Sequence, residues 1–322
     1  MKTEIIASFD TPFRTRVEIL RQTFTSPLTK PAVRVAFVTG LHGDEWEGRS
    51  ACHRLLEFLN HLKRHQPGSF LGEIHVYPAV NPPALNHGTR LWPGHSVDFN
   101  RTLGKNRAQS LPHQMSAKLF EDIQGAADVV VDLHASNLHL RELPQIRVVE
   151  EFAAKVLPLA RFTNTDVVWI HPMAPVFRST LGYNLNRAKI PTLVLEAGIC
   201  LRVTPEYGDQ VFAGMVNLLL ATGALDPSVE TPGRTKRPQE IRPNQVVLAV
   251  STQPGLFIPE VHVGDFVGKG RSLGRVLDPV KGKVSEEVTA PGAGLLFTLR
   301  ETPLVSAGAL LARIALEFEP PP

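Results

Sequence analysis

Two histidines and two glutamates of this sequence lie where apolar segments end, and their types point to metal chemistry. His42 and Glu45 are separated by two residues in GLHGDEWEG, His134 ends VVVDLH, and Glu196 follows TLVL. Two histidines and a glutamate are the protein ligands of a catalytic zinc whose fourth position stays open for water. We therefore predict one zinc ion per chain, bound by His42, Glu45 and His134. Glu196 is left as the candidate general base for the water that such a metal activates.

The surroundings of these residues make the pattern more specific than a histidine–glutamate pair alone. Gly40, Gly43 and Gly48 flank the pair, and a turn with a close backbone approach needs glycine. An acidic residue inside the apolar run TLVLEAG is expensive to bury unless it has a partner or a task. Asp132, two residues before His134, is a weaker candidate for orienting a ligand.

A proline- and glycine-rich segment between the two histidines carries a second set of candidates. It contains Arg90, Asn100 and Arg101, and Arg107 follows it. A guanidinium binds a carboxylate through two parallel hydrogen bonds, and a neighbouring amide can share the anion. Arg90 has an alternative role, which is to face the negative charge that develops on a polarised carbonyl. The segment is therefore predicted to bind the substrate.

These candidates require an architecture that brings distant strand ends together. Residues 1–225 alternate apolar strands with amphipathic helices, which is typical of a layered α/β domain with a largely parallel sheet. In such sheets the ligand crevice lies at the carboxyl ends of the strands. The predicted strands include 31–40, 73–83, 129–134 and 191–198, and the predicted helices include 44–65, 113–128 and 207–223.

The composition of the chain changes after residue 225. Residues 226–244 are polar, charged and rich in proline, which is typical of a linker. Residues 245–322 contain short apolar strands separated by glycines, which predicts a small all-β domain of the barrel or sandwich kind. The length of 322 residues accommodates two domains of roughly 150 residues each.

Composition and charge exclude several classes of protein. The formal net charge of +3, from 34 basic and 31 acidic residues, is too balanced for nucleic acid to be the main partner. No uncharged apolar run reaches the roughly 18 residues that a membrane span needs, so we expect no membrane partner. Two cysteines, Cys52 and Cys200, cannot form a disulfide framework, which predicts a cytoplasmic protein. Assembly into a homo-oligomer stays open.

Taken in order, the motifs resemble a known enzyme family. GLHGDEWEG, NP followed by TR and DFNR, DLH, and LEAG look like the motifs of the succinylglutamate desuccinylase/aspartoacylase family, within the zinc carboxypeptidase-like group. This resemblance implies a three-layer α/β/α zinc-carboxypeptidase-like domain with a mixed, largely parallel sheet. The residues after the linker resemble a barrel-sandwich domain, which fits the general layout of the family.

The resemblance also implies a role for each catalytic candidate. His42, Glu45 and His134 match the zinc ligands of the family, and Glu196 matches its catalytic glutamate. Arg90 matches the arginine that polarises the scissile carbonyl.

For substrate binding, the resemblance assigns the residues that hold the carboxylate but not those that select the side chain. Asn100 and Arg101 match the residues that bind the substrate carboxylate. Arg178, Tyr183 and Arg187 lie in the region that selects the substrate side chain, but no motif anchors them.

The function expected from these observations is zinc-dependent deacylation. The substrate would be an N-acyl amino acid or a similar small amide that carries a carboxylate. A metallocarboxypeptidase acting on peptide C-termini is the alternative, because it uses the same machinery. A carrier or scaffold protein built on the β domain, with Lys281 and Lys283 near a hairpin, ranks third and leaves the polar strand ends without a reason.

Overall fold

The computed structural model describes residues 2–11, 13–26, 31–103, 110–233 and 235–317. The strands before residue 239 are β1 (Lys2–Asp10), β2 (Arg16–Phe24), β3 (Arg34–Thr39), β4 (Glu73–Tyr77), β5 (Val129–His134), β6 (Leu140–Val149), β7 (Val167–His171) and β8 (Thr192–Gly198). The later strands are β9 (Gln239–Ile241), β10 (Val246–Val250), β11 (Gly255–Pro259), β12 (Phe266–Val267), β13 (Ser272–Asp278), β14 (Lys283–Thr289), β15 (Gly294–Arg300), β16 (Leu304–Val305) and β17 (Leu310–Leu316). The α-helices are α1 (Glu47–His65), α2 (Pro82–His87), α3 (Leu111–Ala126), α4 (Ala153–Ala160), α5 (Leu181–Arg187) and α6 (Pro205–Ala221).

The central sheet carries the strand ends on which the chemistry depends. Its order is β1-β2-β4-β3-β5-β8-β6, and β4, β3, β5 and β8 run parallel to one another. β6 is antiparallel to β8 and begins a second parallel group with β7 and β9. Every residue of β5 is buried, as expected for a central strand covered on both faces.

Helices cover both faces of this sheet and give it two cores. On one face α1, α4 and α6 pack on apolar side chains such as Val131 and Leu193. On the other face α3 and α5 pack on side chains such as Val38 and Val130. Because successive side chains of a strand point to opposite faces, the same strands contribute to two separate apolar layers. The predicted α/β/α layering with a mixed, largely parallel sheet is confirmed.

The C-terminal strands form two antiparallel layers around a core of their own. One layer contains β10, β17 and β15, and the other contains β14, β13, β11 and β16. Phe257, Leu273 and Ile314 are among the buried side chains between them. The predicted all-β C-terminal region is confirmed. Strand β15 also pairs with β6 through Thr298–Arg300, so the first layer continues the central sheet.

The region between the two parts is not entirely irregular. Residues 226–244, which the sequence predicts to be a linker, contain β9, and this strand pairs with β7. The division at residues 225 and 245 stays a prediction. Among the described residues, no helix is both long and apolar enough to cross a membrane.

Candidate metal centre and active-site cavity

Three neighbouring parallel strands bring the candidate ligands to one edge of the sheet. Thr39 at the end of β3 pairs with Leu133, and His134 at the end of β5 pairs with Glu196 on β8. The chain then turns sharply after β3. A Cβ atom on Gly43 would lie 2.0 Å from the Ala84 carbonyl oxygen, so this turn accepts only glycine against α2.

The two candidate histidines direct the same ring nitrogen toward one carboxylate. His42 Nδ1 lies 2.6 Å from Glu45 Oε1, and His134 Nδ1 lies 2.8 Å from Glu45 Oε2. All three side chains are buried, and their ligand atoms lie within 4.8 Å of one another. The structure therefore brings the predicted set together.

The other nitrogen of each ring faces an aspartate. His42 Nε2 lies 3.0 Å from Asp98 Oδ1, and His134 Nε2 lies 3.1 Å from Asp132 Oδ1. In metal sites, the free N–H of a ligating histidine commonly points to a carboxylate, which fixes the ring and leaves the other nitrogen for the metal. This arrangement supports the weak prediction for Asp132. Asp98, which sequence reasoning missed, precedes the tripeptide Phe99–Arg101 in the motif DFNR.

The charges of this cluster depend strongly on one another. Burial alone would lower the pKa of His42, but Glu45 and Asp98 outweigh it and raise that pKa. Burial opposes Asp132 and Glu45 at His134 in the same way, and the pKa of His134 is also raised. The pKa of Glu45 would rise on burial, yet the two histidines hold it well below its usual range. A divalent cation can replace the protons of such a cluster, because metal binding requires neutral imidazoles.

The donor chemistry fits zinc. Two imidazole nitrogens and one carboxylate converge, and buried His42 Nδ1 makes no hydrogen bond within the described residues. The set leaves room for a fourth ligand, as catalytic zinc requires.

The predicted substrate-binding segment lies beside this cluster. Arg90 contacts Glu45 Oε1 and Asp98 Oδ2, each at 3.1 Å. Asn100 is buried, and its Oδ1 accepts a hydrogen bond from the Leu181 backbone at 2.8 Å, which ties this segment to the start of α5. Its amide nitrogen forms no hydrogen bond within the part of the chain that the structure describes.

Arg101 differs from the other arginines of the cavity because no carboxylate of the described residues pairs with it. Its guanidinium donates to the backbone carbonyl of Asn100 at 3.0 Å, and it forms no ion pair with a described residue. Burial and the neighbouring Arg90 lower the pKa of Arg101, although Asp98 opposes this. A partly buried cation without a partner is suited to bind an incoming anion.

Glu196 lies next to the metal cluster on β8. Burial raises the pKa of Glu196 to about 7, against the opposing effects of Arg147 and His134. Its Oε1 lies 3.5 Å from Arg147, whereas its buried Oε2 has no hydrogen-bond partner among the described residues. A carboxylate with a pKa near neutrality and one free oxygen has the properties of a general base.

A chain of charges continues from Glu196 into the C-terminal β region. Arg147 donates to the fully buried Glu142 at 2.6 Å, and Arg313 on β17 donates to the other oxygen of Glu142 at 2.8 Å. Both guanidinium groups lie over the Trp169 ring, at 5.7 and 5.2 Å from its centre. The β region thus contributes Arg313 to the cavity. No sequence motif contains Glu142, Arg147 or Arg313, and only their position in the fold reveals them.

The metal cluster, Glu196 and the arginines described above line one cavity of about 390 Å³. Its size suits a small ligand, since such sites commonly measure roughly 300–1,000 Å³. All seven predicted site residues line it: His42, Glu45, Arg90, Asn100, Arg101, His134 and Glu196.

Of the three weaker candidates for selecting the substrate side chain, the structure places one in the cavity. Tyr183 lines the cavity, whereas Arg178 and Arg187 are exposed and do not line it. Arg107 lies outside the described residues.

Comparison with protein families agrees with this arrangement. Residues 31–222 match the model of the succinylglutamate desuccinylase/aspartoacylase catalytic domain. The chain belongs to this family. The resemblance read from its motifs is thereby confirmed. The succinylglutamate desuccinylase/aspartoacylase family consists of zinc-associated hydrolases that remove acyl groups, so the chain belongs to a family of deacylases.

Solved structures of relatives share the fold over nearly the whole chain. A succinylglutamate desuccinylase/aspartoacylase from Rhodobacter sphaeroides is 23% identical, with a TM-score of 0.77 over 95% of this chain and 90% of the other. The product-bound ectoine utilization protein EutE (DoeB) from Ruegeria pomeroyi is 20% identical, with a TM-score of 0.77 over 96% and 92%. An aspartoacylase family protein from Mesorhizobium loti is 18% identical, with a TM-score of 0.75 over 95% and 92%. No curated protein matches the sequence.

Proposed function

We propose that this chain is a zinc-dependent amidohydrolase that removes the acyl group of an N-acyl amino acid or a similar small carboxylate-bearing amide. One observation carries the proposal. A metal-type cluster, a carboxylate with a free oxygen and an arginine without an acidic partner line the same small cavity. These are the groups that a hydrolase needs to polarise an amide, activate water and hold an anion.

His42, Glu45 and His134 would hold the zinc ion, with Asp98 and Asp132 orienting the two rings. When bound, zinc supplies a Lewis acid for the amide carbonyl and lowers the pKa of water.

The remaining groups act on the substrate and on protons. Asn100 and Arg101 bind the substrate carboxylate and so fix the amide in the cavity. Arg90 stabilises the negative charge that develops on the carbonyl oxygen. Glu196 accepts a proton from the attacking water at its free Oε2 and delivers it to the leaving amine.

Metal analysis and substrate hydrolysis together test the proposal. We expect one zinc per chain, and faster hydrolysis of N-acyl amino acids than of short peptides. Faster hydrolysis of peptides, with release of their C-terminal residues, would favour the metallocarboxypeptidase instead.

Paired histidine variants test the ligand assignment. The double variant His42→Ala/His134→Ala should lose both the metal and the activity. The matched control is His53→Ala/His61→Ala, which changes two exposed histidines on α1. Stoichiometric metal in the first variant would contradict the assignment, and unchanged metal in the control would exclude a general effect of removing histidines.

A further inference from the structure

The cavity extends away from the metal cluster into a region that no motif describes. We call this region the aromatic arm and define it by six lining residues: Val149, Phe152, His171, Phe177, Tyr183 and Val194. They come from β6, β7 and β8, from the short turn between β6 and α4, and from α5 and the turn before it.

The floor of the arm is a sheet face that no helix covers completely. Val194 is partly exposed in the middle of β8, although its neighbours Leu193 and Leu195 are buried. Val149 is partly exposed at the end of β6, beside the buried Val148. Central strands of an α/β sheet are normally buried on both faces. Partly exposed apolar residues that line a cavity indicate that an apolar group of a ligand covers them.

Aromatic rings form the walls of the arm. Phe152 and Tyr183 meet edge to face, with their ring centres 5.4 Å apart. On another side, His171 and Phe177 lie with their ring centres 4.8 Å apart. Burial lowers the pKa of His171, which favours its neutral form. The walls therefore add no positive charge near neutral pH, and rings favour apolar or planar groups.

The positive charges of the cavity are already engaged elsewhere. Arg90 pairs with Glu45 and Asp98, whereas Arg147 and Arg313 share Glu142. Among the described lining residues, only Arg101 is an arginine without an ion pair. One carboxylate therefore has an evident partner in Arg101, whereas none of the six residues that define the aromatic arm is an arginine or a lysine.

We propose that the aromatic arm binds an apolar group, branched aliphatic or aromatic, of the N-acyl amino acid. This proposal rests on the proposed function, because it assigns the substrate class of the same cavity. The group is either the amino-acid side chain or the acyl chain, and both sources share this chemistry. Desolvation of the rings and the two valines favours such a group over a carboxylate.

A substrate panel tests the proposal and separates the two sources. The first set of substrates compares the N-acetyl derivatives of phenylalanine, leucine, aspartate and glutamate. The second set compares glycine carrying acetyl, isovaleryl or benzoyl groups. In one of the two sets, we expect kcat/KM to be at least tenfold higher for the apolar substrates than for the small or acidic ones. One methylene group alone changes specificity by roughly 10-fold or more. Preference for N-acetylaspartate or N-acetylglutamate would overturn the proposal.

A pair of phenylalanine variants locates the effect. Phe152→Ala should lower kcat/KM for the preferred apolar substrate about tenfold and change that for N-acetylglycine less than twofold. The matched control is Phe162→Ala, which removes an exposed ring just beyond α4 and should change neither value. Equal losses on both substrates in Phe152→Ala would overturn the assignment of the arm.

Failure of the proposed function gives a different result. If none of these amides is hydrolysed by the zinc-loaded protein, the deacylase assignment is wrong. Titration calorimetry, which measures ligand binding directly, then tests the aromatic arm by itself. Tighter binding of N-acetylphenylalanine than of N-acetylaspartate, weakened by Phe152→Ala, would support an apolar arm. Equal or tighter binding of the aspartate derivative would overturn it.

Discussion

The two ends of the cavity are built on opposite principles. At the metal end, His42, Glu45 and His134 come from turns and strand ends, and each histidine ring nitrogen lies within 3.1 Å of a carboxylate oxygen. In the arm, Val149 and Val194 lie on strand faces that elsewhere would belong to the core. The metal end defines a reaction, whereas the arm defines which molecule undergoes it. This difference predicts that variants at the two ends respond differently to a change of substrate.

The largest effect on turnover should follow from Glu196→Gln. Glutamine keeps the shape of the side chain but cannot accept the proton, so turnover should fall roughly 100-fold or more. Because this loss concerns the chemical step, it should be the same for apolar and small substrates, unlike that of Phe152→Ala. Steady-state kinetics on both substrates and metal analysis measure it.

Two results would blur the distinction between the ends. Near-native turnover in Glu196→Gln would make the residue structural, and a loss confined to one substrate would place it in substrate selection. Glu206→Gln, at an exposed glutamate in the first turn of α6, serves as the matched control.

The second effect concerns stability, at Glu142, which lines the same cavity. This fully buried carboxylate binds both Arg147 and Arg313, so Glu142→Gln leaves two guanidinium groups without their shared partner. Breaking a buried ion pair from one side costs about 3–5 kcal/mol in the free energy of unfolding. Denaturant titration measures this loss.

A neighbouring ion pair supplies a control for Glu142. Glu301, directly after β15, pairs with Arg141 on β6, but both side chains are partly exposed. Glu301→Gln should therefore cost under about 1 kcal/mol. Equal costs for the two variants would mean that burial does not separate these two ion pairs.

A smaller effect on catalysis should follow from Arg101→Ala. The loss of a charge-assisted contact is worth about 1.5–3 kcal/mol, or roughly 10- to 100-fold in kcat/KM. The loss should be large on a substrate with a free carboxylate and small on its amide or ester. It should not depend on the apolar group, which separates Arg101 from the arm.

Arg101→Lys provides the conservative comparison. It should recover only part of the activity, because an ammonium lacks the planar fork of a guanidinium. Similar losses on the acid and its amide would show that Arg101 supports the fold or the metal centre. Metal content is measured in each variant.

The sequence predicts the metal end well because its chemistry coincides with strand ends. Residues 129–134 are predicted as a strand and form β5, and residues 191–198 contain β8 with one residue fewer. Parallel apolar strands fix which ends are adjacent, so residue type and strand position locate the cluster together. Asp98 escapes this reasoning, although it stands in the motif DFNR, because its link to His42 forms only in three dimensions.

The arm and the charge chain are beyond reach of the same reasoning. No strand or helix is predicted between residues 135 and 190, where the structure has β6, β7, α4 and α5. Phenylalanines and valines there look like ordinary core residues, since only the packing of α5 on the sheet decides that a cavity remains. Arg313 reaches Glu142 across 171 residues, and no local spacing encodes such a contact.

The long sequence separation between Glu142 and Arg313 affects the nascent chain on the ribosome. At roughly 5–20 residues per second, about 10 to 30 seconds pass between the synthesis of Glu142 and that of Arg313. During this interval the metal ligands have all been made, but Leu140–Glu142 of β6 cannot yet pair with β15. The incomplete chain therefore has an unpaired strand edge, and Glu142 lacks its second cation. An exposed strand edge of this kind favours aggregation. Protection of that edge by a chaperone would therefore matter most in the last third of synthesis.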